Sequence, residues 1–235
     1  MNPFEIFAEY WPRLLDGTLM TIKLTGLGAL IAALVSPWLA LWRVHGSTLS
    51  QLPLRLYISF IRGTPILAQL FLVFYGSGQF RPLLTEWGLW NFFRDPFNCA
   101  LLVFAVNSTA YQTEILRGGI QGVASGEIEA AKAVGMGRLL TLRRVVFPHA
   151  YRIAWPAIGN EVILLMKASA LASVVTVFDL MGRTRQIFSR TFDFSVYLWA
   201  AVIYLCITAA FVLLWRLAER RLSRHVPIHT TGAKP

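Results

Sequence analysis

Long apolar stretches, broken by short polar ones, run the whole length of the 235-residue chain. Five of them, at about 18–42, 54–75, 97–116, 153–177 and 195–215, reach the length at which a helix crosses a bilayer. Some twenty apolar residues, at ~1.5 Å of rise each, cover the ~30 Å hydrocarbon core. The pattern predicts an all-α integral membrane protein, its five transmembrane helices forming one domain over residues 1–235. Two of the five are interrupted. Arg62-Gly63-Thr64-Pro65 should kink the second or delay its start, and Pro156 with Gly159 should break the fourth. The stretch between spans three and four, about 117–152, is too polar to cross. A helix is predicted within it from about 126 to 134, ended by Gly135 and Gly137.

Composition removes the soluble alternative. The chain is 56% hydrophobic and 14% charged, whereas soluble domains carry about a quarter charged residues. The net charge of +10 does not mark a nucleic-acid partner. The basic residues sit at the ends of apolar stretches, where lipid headgroups favour them, and not in a patch with interleaved aromatics. The side holding 43–62, 117–152 and 216–235 carries fourteen lysines and arginines, and the opposite side six. The excess of positive charge predicts an external N-terminus and a cytoplasmic C-terminus. The first sixteen residues lack the basic region that opens a secretory signal, so none is expected. Cys99 and Cys206 lie in apolar runs and are expected as core residues. His45, His149, His225 and His229 fall in predicted loops or the tail, with no metal spacing and no nucleophile partner. Neither catalysis nor a bound metal is expected.

Ionisable groups inside spans are costly and default to functional candidates. Lys23 lies near the outer end of span one and can snorkel to the surface. Glu114 stands three residues before Arg117 and has a local ion pair as its plain alternative to a substrate role. Glu161 follows Pro156, Gly159 and Asn160, in the kind of broken helix that lines transporter substrate sites. A carboxylate there suits the amino group or cationic side chain of a basic amino acid. On an ideal helix Asn107, Tyr111 and Glu114 share a face, with Ser108 beside it. That stripe needs either neighbouring helices or a wet cavity. Asn160 and Lys167 also share a face, which would let Lys167 meet a substrate carboxylate. In the polar connection, Glu129-Ala130-Ala131 followed by Gly135 forms a small, flat helix face. It fits either another protein's surface or a solvated loop helix.

Those last residues carry a family resemblance. Glu129-Ala130-Ala131, Gly135 after three residues, and then Val145, Phe147 and Pro148 resemble the EAA loop of ABC importer permeases. The family's Ile-x-Leu-Pro is Val-Val-Phe-Pro here, a mild apolar departure. LLDGTLMTIKLT, FIRGTPILAQLFLVFYG, NSTAYQTEILRGGI and PAIGNEVILLMKASALAS narrow the resemblance to the polar amino-acid uptake group. The tail AERRLSRH resembles the M-type subunits of its histidine, lysine-arginine-ornithine and octopine/nopaline systems.

The resemblance implies a bacterial inner-membrane permease paired with a similar Q-type permease, with two ATPase subunits below and a periplasmic amino-acid-binding protein above. It implies that Glu129, Ala130, Ala131, Gly135 and Pro148 form the coupling element. The chain has no Gly-x-x-x-x-Gly-Lys-Ser/Thr loop to hold nucleotide phosphates. ATP and magnesium are therefore expected on the partner ATPase, and no cofactor on this chain. The sequence leaves three alternatives: a substrate-lining subunit, a scaffold whose partner holds the site, or a self-contained secondary transporter or channel. Five spans without an inverted repeat disfavour the last.

Overall fold

The computed structural model describes residues 3–223, with side chains to Arg221; His225 and His229 lie outside the described residues. The described residues form helices and their connections, with no strand. Helix α1 (Pro3–His45) has 43 residues, about 65 Å at 1.5 Å per residue. It begins fifteen residues before the expected span. The reason is a second apolar contact, in which Ile6, Phe7 and Leu14 turn inward and Leu14 joins Leu180, Ile187 and Val196.

The expected second span is instead two helices, α2 (Leu52–Gly63) and α3 (Ile66–Gln79), bent by 105°. Pro65 forces Thr64 into extended backbone (φ −117°, ψ 144°), which stops α2. Two short helices, α4 (Arg81–Glu86) and α5 (Trp90–Phe93), lead to α6 (Pro96–Gln121). Asp95 caps α6 by accepting from the Phe97 amide at 2.9 Å, and Pro96 sits where no donor is needed.

Helix α7 (Ser125–Ala133) and the single turn α8 (Arg138–Thr141) fill the polar connection. A π turn at Leu142–Val146 leads into α9 (Phe147–Ala168) and a 3₁₀ segment, Ser169–Val175. The expected break at Pro156 is absent, because α9 runs on through it. The chain closes with α10 (Leu180–Thr191) and α11 (Ser195–Ser223). His45 and His149 thus lie in helices α1 and α9 rather than in loops, and Cys206 is exposed on α11 while Cys99 is buried.

Helix α6 is the centre of the bundle and packs on α1, α2, α3 and α9. Its small residues allow this close approach. A Cβ at Gly119 would fall 2.5 Å from the Ala150 carbonyl oxygen of α9. Among the described residues, three stretches are long and apolar enough to cross a membrane: Pro3–His45, Arg138–Val175 and Ser195–Arg221. The bent pair would make a fourth. Helix α6 is long enough to cross but more polar than these, and its polar side chains are hidden from the surroundings. Asn107, Ser108, Thr109, Gln112 and Thr113 are all buried. Large apolar side chains are exposed instead on α1 and α11, among them Leu30, Leu34, Trp38, Leu198, Leu205 and Leu213, as a lipid-facing surface requires.

One buried carboxylate gives the fold a pH response. Asp179 caps α10 by accepting from the Gly182 amide at 2.8 Å. Burial lifts its carboxyl from 3.8 to about 6, against the lowering effect of that bond. Because the folded value is raised, the folded state holds the proton more tightly. The stabilising contribution is complete below about pH 4 and is lost as pH rises through about 6. Asp179→Asn keeps the capping oxygen and should flatten this slope, gaining about 1–2 kcal/mol at neutral pH. Thermal melts of both proteins between acidic and neutral pH measure the difference.

Candidate functional site

The bend between α2 and α3 frees the last carbonyls of α2, which a buried setting must satisfy. Gln69 does this from the first turns of α3. Its Nε2 donates to the carbonyls of Ile61 (2.9 Å) and Thr64 (3.2 Å) and to Thr64 Oγ1 (2.9 Å). Gln69 Oε1 then accepts from Asn107 Nδ2 at 3.1 Å, tying the bend to α6. Tyr57 strengthens the joint by donating to the Val106 carbonyl at 2.6 Å.

On the neighbouring face of α6, Ser108 Oγ donates to Glu161 Oε1 at 2.7 Å. Gln112 Nε2 approaches Glu161 Oε2 at 3.4 Å and Ser108 Oγ at 3.1 Å. Glu161 is 7% exposed. Its carboxylate forms no ion pair with any described residue.

A cavity of about 270 Å³ opens where these elements meet. Thr64, Pro65 and Ile66 line it from the bend, Asn107 and Tyr111 from α6, and Glu161 with Leu164, Leu165 and Ala168 from α9. The Arg62 guanidinium lies over the Tyr111 ring, 5.1 Å from its centre. Asn107, Ser108, Tyr111 and Glu161 are therefore brought together.

Three other predicted residues are not. Asn160 points about 100° away from Glu161 and lines a separate cavity against α11, beside Trp215 and Arg216. Lys167 is exposed and lines neither cavity. Glu114 is held elsewhere, with Oε1 taking Arg43 Nε at 3.1 Å and Oε2 taking Arg117 at 2.8 Å. Arg43 comes from the end of α1, so the triad pins α1 to α6. Glu114→Gln should cost about 1–3 kcal/mol of stability without altering the cavity, and thermal unfolding in detergent measures it.

The polar connection is anchored, not free. Ile128 packs against the cluster of Val146, Ala150 and Ala154. The Glu127 carboxylate lies 3.3 Å from His149 Nδ1, joining α7 to the start of α9. Glu129, Ala130, Gly135 and Pro148 are exposed, whereas Ala131 is 5% exposed. The flat face expected from Ala130 and Ala131 together is thus divided. At a 100° step, Ala131 turns inward while Ala130 faces out.

Residues 25–224 match the family of binding-protein-dependent transport system inner membrane components, and the chain belongs to that family. It is 44% identical to the nopaline transport system permease protein NocM of Agrobacterium fabrum, over 98% of this chain and 96% of that one. With the histidine/lysine/arginine/ornithine transport system permease protein HisM of Escherichia coli it shares 39% identity, over 97% and 99%. The crystal structure of an amino acid ABC transporter with histidines is similar at 36% identity and a TM-score of 0.79, covering 92% of this chain and 96% of that one. The MetNI methionine ABC transporter, 15% identical with a TM-score of 0.74 over 92% and 99%, shares the fold.

Proposed function

We propose that this chain is the permease subunit of an ATP-driven importer of basic amino acids or opines. The observation that carries the substrate class is the Glu161 carboxylate, buried at a cavity and without an ion-pair partner among the described residues. An isolated buried anion is costly, and a cationic cargo offsets that cost each time it enters. Relatives named for nopaline and for histidine, lysine, arginine and ornithine support this choice. On this reading the chain crosses five times, with α6 crossing inside the bundle, and the excess of lysine and arginine favours a periplasmic N-terminus and a cytoplasmic C-terminus. A 270 Å³ cavity is small for a complete ligand site. A second, Q-type permease completes it across a pseudo-two-fold axis.

Helix α7 is the coupling element, offering Glu129, Ala130 and the Gly135 turn to one of two ATPase subunits that carry ATP and magnesium. A periplasmic binding protein delivers the cargo. The test is reconstitution of the chain with these partners in lipid vesicles. ATP-dependent uptake of arginine, histidine or nopaline is expected. An assembled complex that hydrolyses ATP but takes up none of them overturns the substrate reading.

A further inference from the structure

A second cavity, of about 470 Å³, lies at the start of α6. Asp16 and Lys23 of α1, Asp95 and Phe97 at the start of α6, and Thr176 and Arg183 around the start of α10 face it. Two acids and two bases thus share one wall, yet none of these four charges forms an ion pair with another. Exposed charges are solvated and gain little by touching, so all four remain available to a ligand that carries both signs of charge.

Each group also keeps capacity in reserve. Asp95 uses one oxygen to cap α6. Lys23 Nζ rests 4.9 Å from the Phe97 ring centre. Arg183 donates through Nη1 to Gln186 at 3.1 Å, while its Nε is buried without a hydrogen-bond partner. The wall itself is fixed. A Cβ at Gly17 would fall 2.9 Å from Arg183 Cγ and from Leu180 Cα, so α10 is locked against α1. Thr176, on the cavity lining, holds a left-handed backbone (φ 63°) that a β-branched residue rarely adopts.

We infer that this cavity is an outer subsite for the zwitterionic head of an amino acid. Lys23 and Arg183 take the carboxylate, and Asp16 and Asp95 take the ammonium group. Phe97 and Asn107, which line the outer and inner cavities, are ten residues apart on α6, about 15 Å of helix. Three α6 residues of that interval, Ala100, Val103 and Phe104, belong to a buried cluster with Leu24 and Leu165. The amino acid waits at the outer subsite until this packing opens. The inference rests on the amino-acid reading of the inner cavity.

The test measures arginine binding to the complete transporter in nanodiscs, without ATP or binding protein. Glu161→Gln is introduced to weaken the inner cavity. Asp16→Asn with Lys23→Gln then alters the outer one; both side chains are exposed, so folding is not at risk. Arginine should still bind the Glu161→Gln complex, about tenfold more weakly once the outer pair is changed, the size expected for lost charge-assisted contacts. Agmatine, which lacks the carboxylate, should compete poorly for this binding. Loss of all arginine binding in Glu161→Gln alone, or residual binding indifferent to the outer pair, overturns the subsite. If the outer pair changes only the binding-protein concentration needed for half-maximal uptake, the cavity is a docking surface and the inference also fails. A complex with all residues native that binds and imports no amino acid refutes the underlying reading instead.

Discussion

Gly135→Arg is expected to cut uptake at least about tenfold while leaving the helical bundle folded, the loss of one or two interface contacts each worth about 1–3 kcal/mol. Gly135 has φ +79° and sits just beyond the end of α7. Its amide donates to the Lys132 carbonyl at 2.9 Å, and the Met136 amide donates to Ala131 at 3.0 Å. This pair of bonds closes a helix with a left-handed residue, which glycine adopts without steric cost. Beyond its own chain neighbours, no atom of the described residues lies within 4 Å of where a Cβ would stand. Any side chain therefore has room, and the internal penalty is the backbone strain alone, about 1–2 kcal/mol. The remainder of the effect must come from outside the chain.

Gly135→Ala separates the two contributions, because it carries the strain without the bulk. The alanine variant should retain most uptake. The arginine variant should lose either ATPase co-purification or the link between hydrolysis and transport. Hydrolysis, co-purification and uptake measured on one preparation decide it. If both variants match the unmodified protein in all three, α7 does not dock the ATPase.

How far the site could be read in advance depended on whether a residue's partner was near it in sequence. Glu161 stood out because a carboxylate in an apolar run has no cheap local explanation. The helix over about 126–134 and its glycine stop were equally plain, since capping is a local property. Gln69 and Gln112 were missed. Gln69 interrupts the apolar run ILAQLFLVF four residues after Pro65, and Gln112 lies one turn beyond Ser108; both patterns pointed inward. Their roles depend on the 105° bend and on the approach of α6 to α9, which local spacing does not contain. Glu114 shows the same limit. Its bond to Arg117 was visible at three residues' separation, but Arg43 lies 71 residues away. Asn160 and Lys167 lie outside the Glu161 cavity for another reason. Periodicity places residues on a common face without saying whether that face meets the cavity, and theirs does not.

Glu161→Gln is expected to reduce uptake of cationic cargo about ten- to a hundredfold, the value of one charge-assisted contact in a dry site. The amide keeps the shape of the carboxylate, and its oxygen can still accept from Ser108, whose hydroxyl lies 2.7 Å from Glu161 Oε1. Gln112 has only to turn over its own amide to face the new NH₂ group. What disappears is the charge. That charge is 7% exposed and forms no ion pair among the described residues. Removing an uncompensated buried ion relieves its desolvation cost. The variant should therefore unfold at the same or a higher temperature while it transports less. A structural ion pair predicts the opposite pairing of results. If a cation from the second permease normally neutralises Glu161, the amide strands that cation, and the assembled complex should melt lower by several degrees. Melting temperature and uptake measured together on the complete complex thus assign the counter-charge. Lower uptake with unchanged or raised stability gives it to the cargo; lower stability gives it to the partner chain. Normal uptake removes Glu161 from the pathway.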